Sequence, residues 1–488
     1  MKIKEEYFIL DREYKSKYGK RTFFLMQVGS FFEVYGLQNT EMENIKLFSE
    51  LCGLQIANSK TKINNENVMM SGFRDYLLDK YIEKIHQHGF SVAVHTQREE
   101  NGKIIREEYG VFSPGTTFHE SNNKLSNNIS CIWIQKVNNL NKEMIIFGMS
   151  NINIYNGCSN LCEYVEEYYH NPTTYDSIDK FLQIYNPIET IYVHNLESKV
   201  IKDIFQYINN SSQKVYEVDL NNKDHDMSKQ ACNCESQIYQ DEIIQRFFPT
   251  TNLEIFKYNI ADKPVCIQSY CFLLNFVQQH NVSLIEKIEE PQIENMQKSL
   301  VCANHSFQQL NYISQESNVD SKIDMLQQDE PDKINSVMCI LNQCKTKMGK
   351  RYLNHILLNP VCDHSLLNER YKIIEHIMKK KYVFIDILNK CCDMEKMITK
   401  LKLHKLNPND FHHILQTVKS SSNLFKLLKG DKVLTKFLKL DIMKENQEQF
   451  QSYIETTFNV KVIQHILSNN FEKYPEYNEE FILKGNFP

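Results

Sequence analysis

Glycine and proline are scarce in this sequence, at 14 and 11 of 488 residues. Long flexible linkers, which are rich in glycine, serine or proline, are therefore not a large part of the chain. No run of about 18 apolar residues occurs, so no membrane-spanning helix is predicted. The opening residues, MKIKEEYFILDREYKSKYGK, are charged throughout and lack the apolar stretch of a secretion signal. An intracellular protein, cytoplasmic or nuclear, with no membrane partner is expected. An excess of positive charge is also missing. The formal net charge is −5, so any contact with nucleic acid depends on local basic patches.

Recognisable catalytic and metal signatures are absent as well. The 14 cysteines, with Cys391 and Cys392 adjacent, lie scattered through apolar segments and read as reduced thiols. The short pairs Cys158/Cys162, Cys232/Cys234 and Cys302/His305 lack a second pair at zinc-site spacing, so no metal is expected. Asp410, His412 and His413 suggest neither a catalytic triad nor a metal site. No G-x-x-x-x-G-K-[ST] phosphate loop occurs, so the chain is expected not to be an ATPase.

At 488 residues the chain is too long for one hydrophobic core. Residues 1–120 alternate strand-like and helix-like segments. TFFLMQV (22–28) and FSVAVHTQ read as strands. NTEMENIKLFSELCGL carries Met42, Ile45, Phe48 and Leu51 at helical spacing, and YLLDKYIEKIHQHG predicts a second helix closed by Gly89. A polar stretch at 120–128 predicts a linker. Residues 125–230 begin again with a hairpin, SCIWIQKV and EMIIFGMSNINIYNG, then an acidic helix at 162–169 and a strand at ETIYVHN. From 237 to 488 the pattern is mostly helical. The fold class is multidomain α/β followed by α.

Within QVGSFFEVYG (27–36), side chains alternate across a strand. If Phe32 and Val34 enter the core, then Phe31, Glu33 and Tyr35 share the other face. A phenyl ring beside a carboxylate is unusual on a surface. Read alone, the pair is an ordinary exposed patch of an edge strand. Lys345, Lys347, Lys350 and Arg351 form a basic cluster, for which a structural or inter-domain role is preferred. Lysines 379–381 read as a solvated helix end.

The order of motifs resembles the MutS family of DNA mismatch-recognition proteins. FFLMQVGSFFEVYG is similar to the family's strand, Gly corner and Phe-x-Glu motif. FSELCGLQIANSK, VMMSGFRDYLLDKYIEKIHQHGFSVAVHTQ and VFSPGT follow in family order. CANHSFQQLNYI resembles the entry to the helical core, and LNQCKTKMGKRYLNHILLNPVCD its Thr-x-x-Gly-x-Arg signature. DMEKMITKLKLHKLNPNDF looks like the Asp-x-Glu-Arg continuation, with Lys396 where arginine is usual.

The resemblance implies three parts: a mismatch-binding domain over 1–120, a ribonuclease H-like connector over 125–230, and a helical core and lever over 237–488. It implies double-stranded DNA with mismatches or small loops as partner. Phe31 would then be a wedge: a ring without base-specific donors can still enter between bases, most cheaply where pairing is faulty. Glu33 would hydrogen-bond a ring nitrogen freed from pairing. Met69 and Met70 are candidate supports of the wedge, or plain core methionines. Lys20, Arg21, Lys60, Lys62 and Arg74 are candidate contacts to the DNA backbone, or solvated charges. ATP and Mg are expected only for a family member that carries the phosphate loop. The sequence stops at EEFILKGNFP, with Pro488 inside a motif, which suggests a fragment or a truncated product. A second reading drops the DNA: an interaction protein that pairs with a full-length MutS-like partner subunit.

Overall fold

The computed structural model describes the chain apart from residues 1–2, 40–41, 64, 101–102, 118–124, 140–141, 170, 209, 223–224, 282–283, 285–286, 295–299, 301–304, 313–335, 381 and 459–488. Cys302, Lys381, most of the expected linker at 120–128 and the terminal segment with Pro488 lie outside the described residues. The chain divides into two compact units, residues 1–294 and 295–488.

The first unit opens with helix α1 (Ile3–Tyr18), whose charge hides its stripe. Tyr7, Asp11, Tyr14 and Tyr18 recur at helical spacing and are buried. A six-stranded sheet follows, from β1 (Thr22–Val28), β2 (Phe31–Leu37), β3 (Ala57–Ile63), β4 (Glu66–Arg74), β5 (Ser91–Glu100) and β6 (Lys103–Phe112), with α2 (Met42–Cys52) and α3 (Leu78–Gln87) between strands. The strand order is β3-β4-β2-β1-β5-β6. Only β1 and β5 pair in parallel. Helix α1 covers one face, through Tyr7 on Phe24 and Tyr35 and Tyr14 on His95. On the other face Phe23 meets Phe48 of α2, and Phe73 stacks on Tyr81 of α3. The turn after α3 holds Gly89 at φ +74°, as the sequence suggests.

A second sheet is built from β7 (Asn128–Asn139), β8 (Lys142–Asn153), β9 (Ser159–Glu167), β10 (Glu189–His194) and β11 (Lys214–Asp219). Helices α4 (Asp176–Tyr185) and α5 (Ser198–Tyr207) lie between these strands in sequence. Its order, β11-β10-β7-β8-β9, ends on the two-residue β12 (Gln292–Ile293). The hairpin β7–β8 and the strand β10 stand where the sequence places them. The acidic helix expected at 162–169 is corrected to strand β9. Its spaced carboxylates mimic a helix face, but a nine-residue antiparallel ladder with β8 prevails. The antiparallel β7–β9 followed by parallel β10 and β11 agrees with the ribonuclease H-like connector that the resemblance implies.

Helices α6 (Asp226–Asn233), α7 (Gln237–Phe247), α8 (Leu253–Ile260) and α9 (Pro264–His280) complete this unit. The expected boundary at 237 therefore falls inside the unit rather than at its edge. The cause is α9, which is apolar nearly all round and buried against the second sheet. Ser269 of α9 donates to the carbonyl of Cys131, and its Phe272 meets Trp133 edge-on.

The second unit is helical: α10 (Ser306–Gln309), α11 (Val337–Leu341), α12 (Lys347–Leu358), α13 (His364–Lys380), α14 (Ile385–Leu388), α15 (Met394–Lys402), α16 (Pro408–Leu427), α17 (Lys432–Leu438) and α18 (Leu440–Thr457). Its Thr-x-x-Gly-x-Arg stretch has a physical explanation. Thr346 caps α12 by accepting from the Gly349 amide. Arg351 then binds Asp393 in bidentate fashion, at 2.6 and 2.8 Å, and Glu395 at 2.7 Å. This gives Arg351 the structural role preferred from sequence. Asp410 is engaged by the Lys400 ammonium at 2.9 Å and by the capping box of α16. It is not free to orient His412 or His413. Among the described residues no group of three His, Cys, Asp or Glu side chains is placed to hold a metal, and none of the cysteines is in a disulfide. No described helix is long and apolar enough to cross a membrane.

Candidate nucleic-acid interface

Strands β1 and β2 are joined by two residues, Gly29 and Ser30, since Val28 pairs with Phe31. Gly29 sits at φ +61°, the left-handed first position that such a tight hairpin turn requires. The turn is pinned from the side. Gln97 of β5 accepts from the Gly29 amide and donates to its carbonyl, both at 3.0 Å. The Gln27 side chain accepts from the Gln97 amide at 2.9 Å. Arg106 of β6 donates to the Gln27 carbonyl at 3.0 Å. The hairpin tip that presents Phe31 is thus held from the β5–β6 side by Gln97 and Arg106, with Gln27 of β1 itself completing the bracing.

Alternation along β2 follows the sequence for four residues. Phe31 is 42% exposed, Phe32 only 3%, Glu33 is half-buried and Val34 is buried. Tyr35 departs from the expectation. It shares the Phe31 face but is buried, because the start of α1 lies over it: Tyr7 packs edge-on and the Lys4 ammonium stands 5.4 Å from its ring. The Tyr35 hydroxyl donates to Glu33 Oε2. Burial, and then this bond, push the Tyr35 phenol well above its ordinary range. Burial lowers the Lys4 ammonium, and Glu33 opposes that shift. Lys4 also ties α1 to β3, donating to Thr61 at 2.6 Å.

Strand β4 lies directly against β2, with Phe31 opposite Arg74 and Glu33 opposite Gly72. A Cβ at Gly72 would stand 2.5 Å from the Phe32 carbonyl oxygen, so only glycine permits this pairing. The Arg74 guanidinium lies 5.8 Å from the Phe31 ring centre, within reach of a cation–π contact.

The other candidates are dispersed. Met70 pairs with Tyr35 and so shares the Phe31 face, four residues along β4 from Arg74. Met69 pairs with Gly36 and points to the opposite face, so the register gives it no place beneath Phe31. Lys20 and Arg21 precede β1, whose far end carries the hairpin roughly 20 Å away at strand rise. Arg21 serves the α3–β5 corner, donating to the His88 carbonyl at 2.9 Å and covering the Phe90 ring. Lys60 and Lys62 are exposed on β3, an edge strand interrupted by a bulge, and Lys62 pairs with Asn67 at the end of β4 remote from Arg74. Arg74 alone of the five basic candidates stands beside the ring. Sequence reading missed Gln27, Gln97 and Arg106, which brace the turn, and Tyr76, 74% exposed and two residues beyond Arg74. The adjacent Asp75 amide donates to the Ser30 carbonyl, which fixes this segment to the hairpin. Polar side chains paired across strands were the only available signal.

Two family models match the chain: MutS domain I over residues 12–121 and MutS domain III over residues 305–478. The chain belongs to the MutS family. A mutS homolog of Acanthamoeba polyphaga mimivirus is 23% identical over 98% of this chain and 43% of its own length. The DNA mismatch repair protein MutS of Petrotoga mobilis is 23% identical over 97% of this chain and 51% of its own. That of Caldanaerobacter subterraneus subsp. tengcongensis is 22% identical over 90% and 46%. The chain spans about half the length of these MutS relatives. The domain III match begins at residue 305, close to the division between the two compact units.

Proposed function

We propose that the first unit recognises mispaired or unpaired bases in duplex DNA by inserting Phe31 from the minor groove. The observation that carries this reading is the exposed Phe31 ring beside half-buried Glu33, on a hairpin braced by Gln97 and Arg106. Insertion costs a few kcal/mol of unstacking, least where pairing is already faulty. Bracing lowers the ordering cost of presenting the ring. Arg74 lies near the ring in the free chain and moves to a neighbouring phosphate as the ring enters the stack. Glu33 accepts a hydrogen bond from a base nitrogen that has lost its partner, while Tyr35 holds its other oxygen. On intact duplex the same carboxylate faces phosphates with no such return, which penalises binding there.

Equilibrium binding of the chain to a G·T duplex and to its matched counterpart tests the reading. Tighter binding to the G·T duplex is expected. Equal binding to both overturns it.

A further inference from the structure

The second unit carries a charge pattern that the hairpin does not use. Between residues 426 and 439 there are five lysines, Lys426, Lys429, Lys432, Lys436 and Lys439, in a chain of net charge −5. All five are exposed. Among the described residues none of them is in an ion pair. The one nearby buried carboxylate, Asp431, is engaged by His376 at 2.7 Å and Tyr382 at 2.8 Å, and caps α17. It is turned inward and does not neutralise them.

Three of these lysines are organised. Lys432 and Lys436 lie one turn apart on α17 and Lys439 follows as its C-cap, and the three line one open groove with Gly430, Thr435, Asp441 and Ile442. Leu434 and Leu440 anchor the segment in a core shared with Leu428, Ile373 and Phe384. The lysine row is thus fixed to the unit rather than carried on a loose arm. At a helical rise of about 1.5 Å per residue, the three Cα atoms span roughly 10 Å. That is the length of duplex axis over which one strand presents about three phosphates, at about 3.4 Å of axis each.

We infer that the Lys432–Lys436–Lys439 groove is a second, sequence-blind binding site for the phosphodiester backbone of duplex DNA. It goes beyond the Phe31 reading, with which it shares no residue. A concave groove lined by ammonium groups and the Thr435 hydroxyl suits a ridge of phosphates. Val433 and Phe437 of α17 are exposed, but the groove lining itself carries one apolar side chain, Ile442, so a bilayer surface suits it less. Asp441 opposes the anion and sets a limit on affinity.

The test measures affinity of the full chain for matched duplex DNA across a salt series. The triple variant Lys432→Gln, Lys436→Gln, Lys439→Gln should flatten the slope of log K against log salt by about two to three. The ratio of mismatched to matched binding should stay unchanged. Asp441→Asn should tighten matched-duplex binding at low salt, which provides a second readout should the triple variant fold poorly. An unchanged slope, or no effect of Asp441→Asn, overturns the inference. So does loss of binding to phosphatidylserine vesicles with the DNA slope intact, which would assign the groove to an anionic membrane surface. A flattened slope in a chain without mismatch preference would leave this groove standing and remove the Phe31 reading.

Discussion

The Tyr35 hydroxyl donates a hydrogen bond to Glu33, two residues earlier on the same strand and face. Glu33 is therefore a restrained carboxylate rather than a free surface charge. Tyr35→Phe should leave the ring packing on Tyr7 in place while releasing Glu33. Mismatch preference should fall several-fold. A hydrogen bond of about 1.5 kcal/mol to a partly exposed charged group would give roughly tenfold, but this bond is lost from the free chain as well as from the complex. Matched-duplex affinity should change by less than about twofold by the same reasoning. Paired titrations of both duplexes check this.

Glu33→Ala should tighten binding to matched DNA. A carboxylate at the minor groove stands within about one Debye length, 8 Å at physiological salt, of the phosphates. Removing it relieves that repulsion on every duplex. Only at a mispair does the change also delete a hydrogen bond, so discrimination should fall while matched binding improves, most clearly at low salt. Equal weakening on both duplexes would make Glu33 a folding residue.

Arg351→Met should destabilise the second unit by about 3–5 kcal/mol, since it strands the buried Asp393 carboxylate. Arg351→Lys should recover only part of this, because an ammonium cannot span both Asp393 oxygens and Glu395. Helical circular dichroism during urea unfolding measures both. A loss below about 1 kcal/mol for Arg351→Met would contradict the structural role.

His280 supplies a pH dependence in the first unit. It is buried between Tyr18 and Phe276, and burial holds its imidazole down to about 4, with the Phe276 carbonyl opposing and the Lys214 and Lys17 ammoniums adding. The unfolded chain protonates this histidine near pH 6.5, so the unfolded state binds more protons between 6.5 and 4. Stability should therefore fall as pH drops through that window, by up to about 3 kcal/mol from this group. His280→Phe should flatten the decline. The chain has a single tryptophan, and Trp133 is fully buried in the second sheet, so its fluorescence reports unfolding of this unit alone.

Much of this was legible locally. The burial of Phe32 and Val34 and the outward Phe31 follow from a period of two, and α2 and α3 from apolar spacing. The rest depends on partners distant in sequence. Tyr35 is buried only because α1 covers it, and α1 was hidden because its stripe is tyrosine rather than leucine. That Arg74 alone joins Phe31, while Met69 faces away, is a matter of β2–β4 register, which no single segment encodes. The strand β9 and the buried helix α9 were misplaced for the same reason, since the pairing with β8 and the second sheet decides both.

The central claim is that Phe31 enters the base stack at a mispair. A duplex carrying 2-aminopurine beside a G·T pair brightens when its stacking is broken. The wild-type chain should raise that fluorescence at the mispair and much less in a matched duplex. Phe31→Ala should abolish the rise while still binding DNA. Its stability should change by less than about 0.5 kcal/mol, as for an exposed side chain outside the core. An equal rise with Phe31→Ala, or no rise with the wild-type chain bound, would contradict the account.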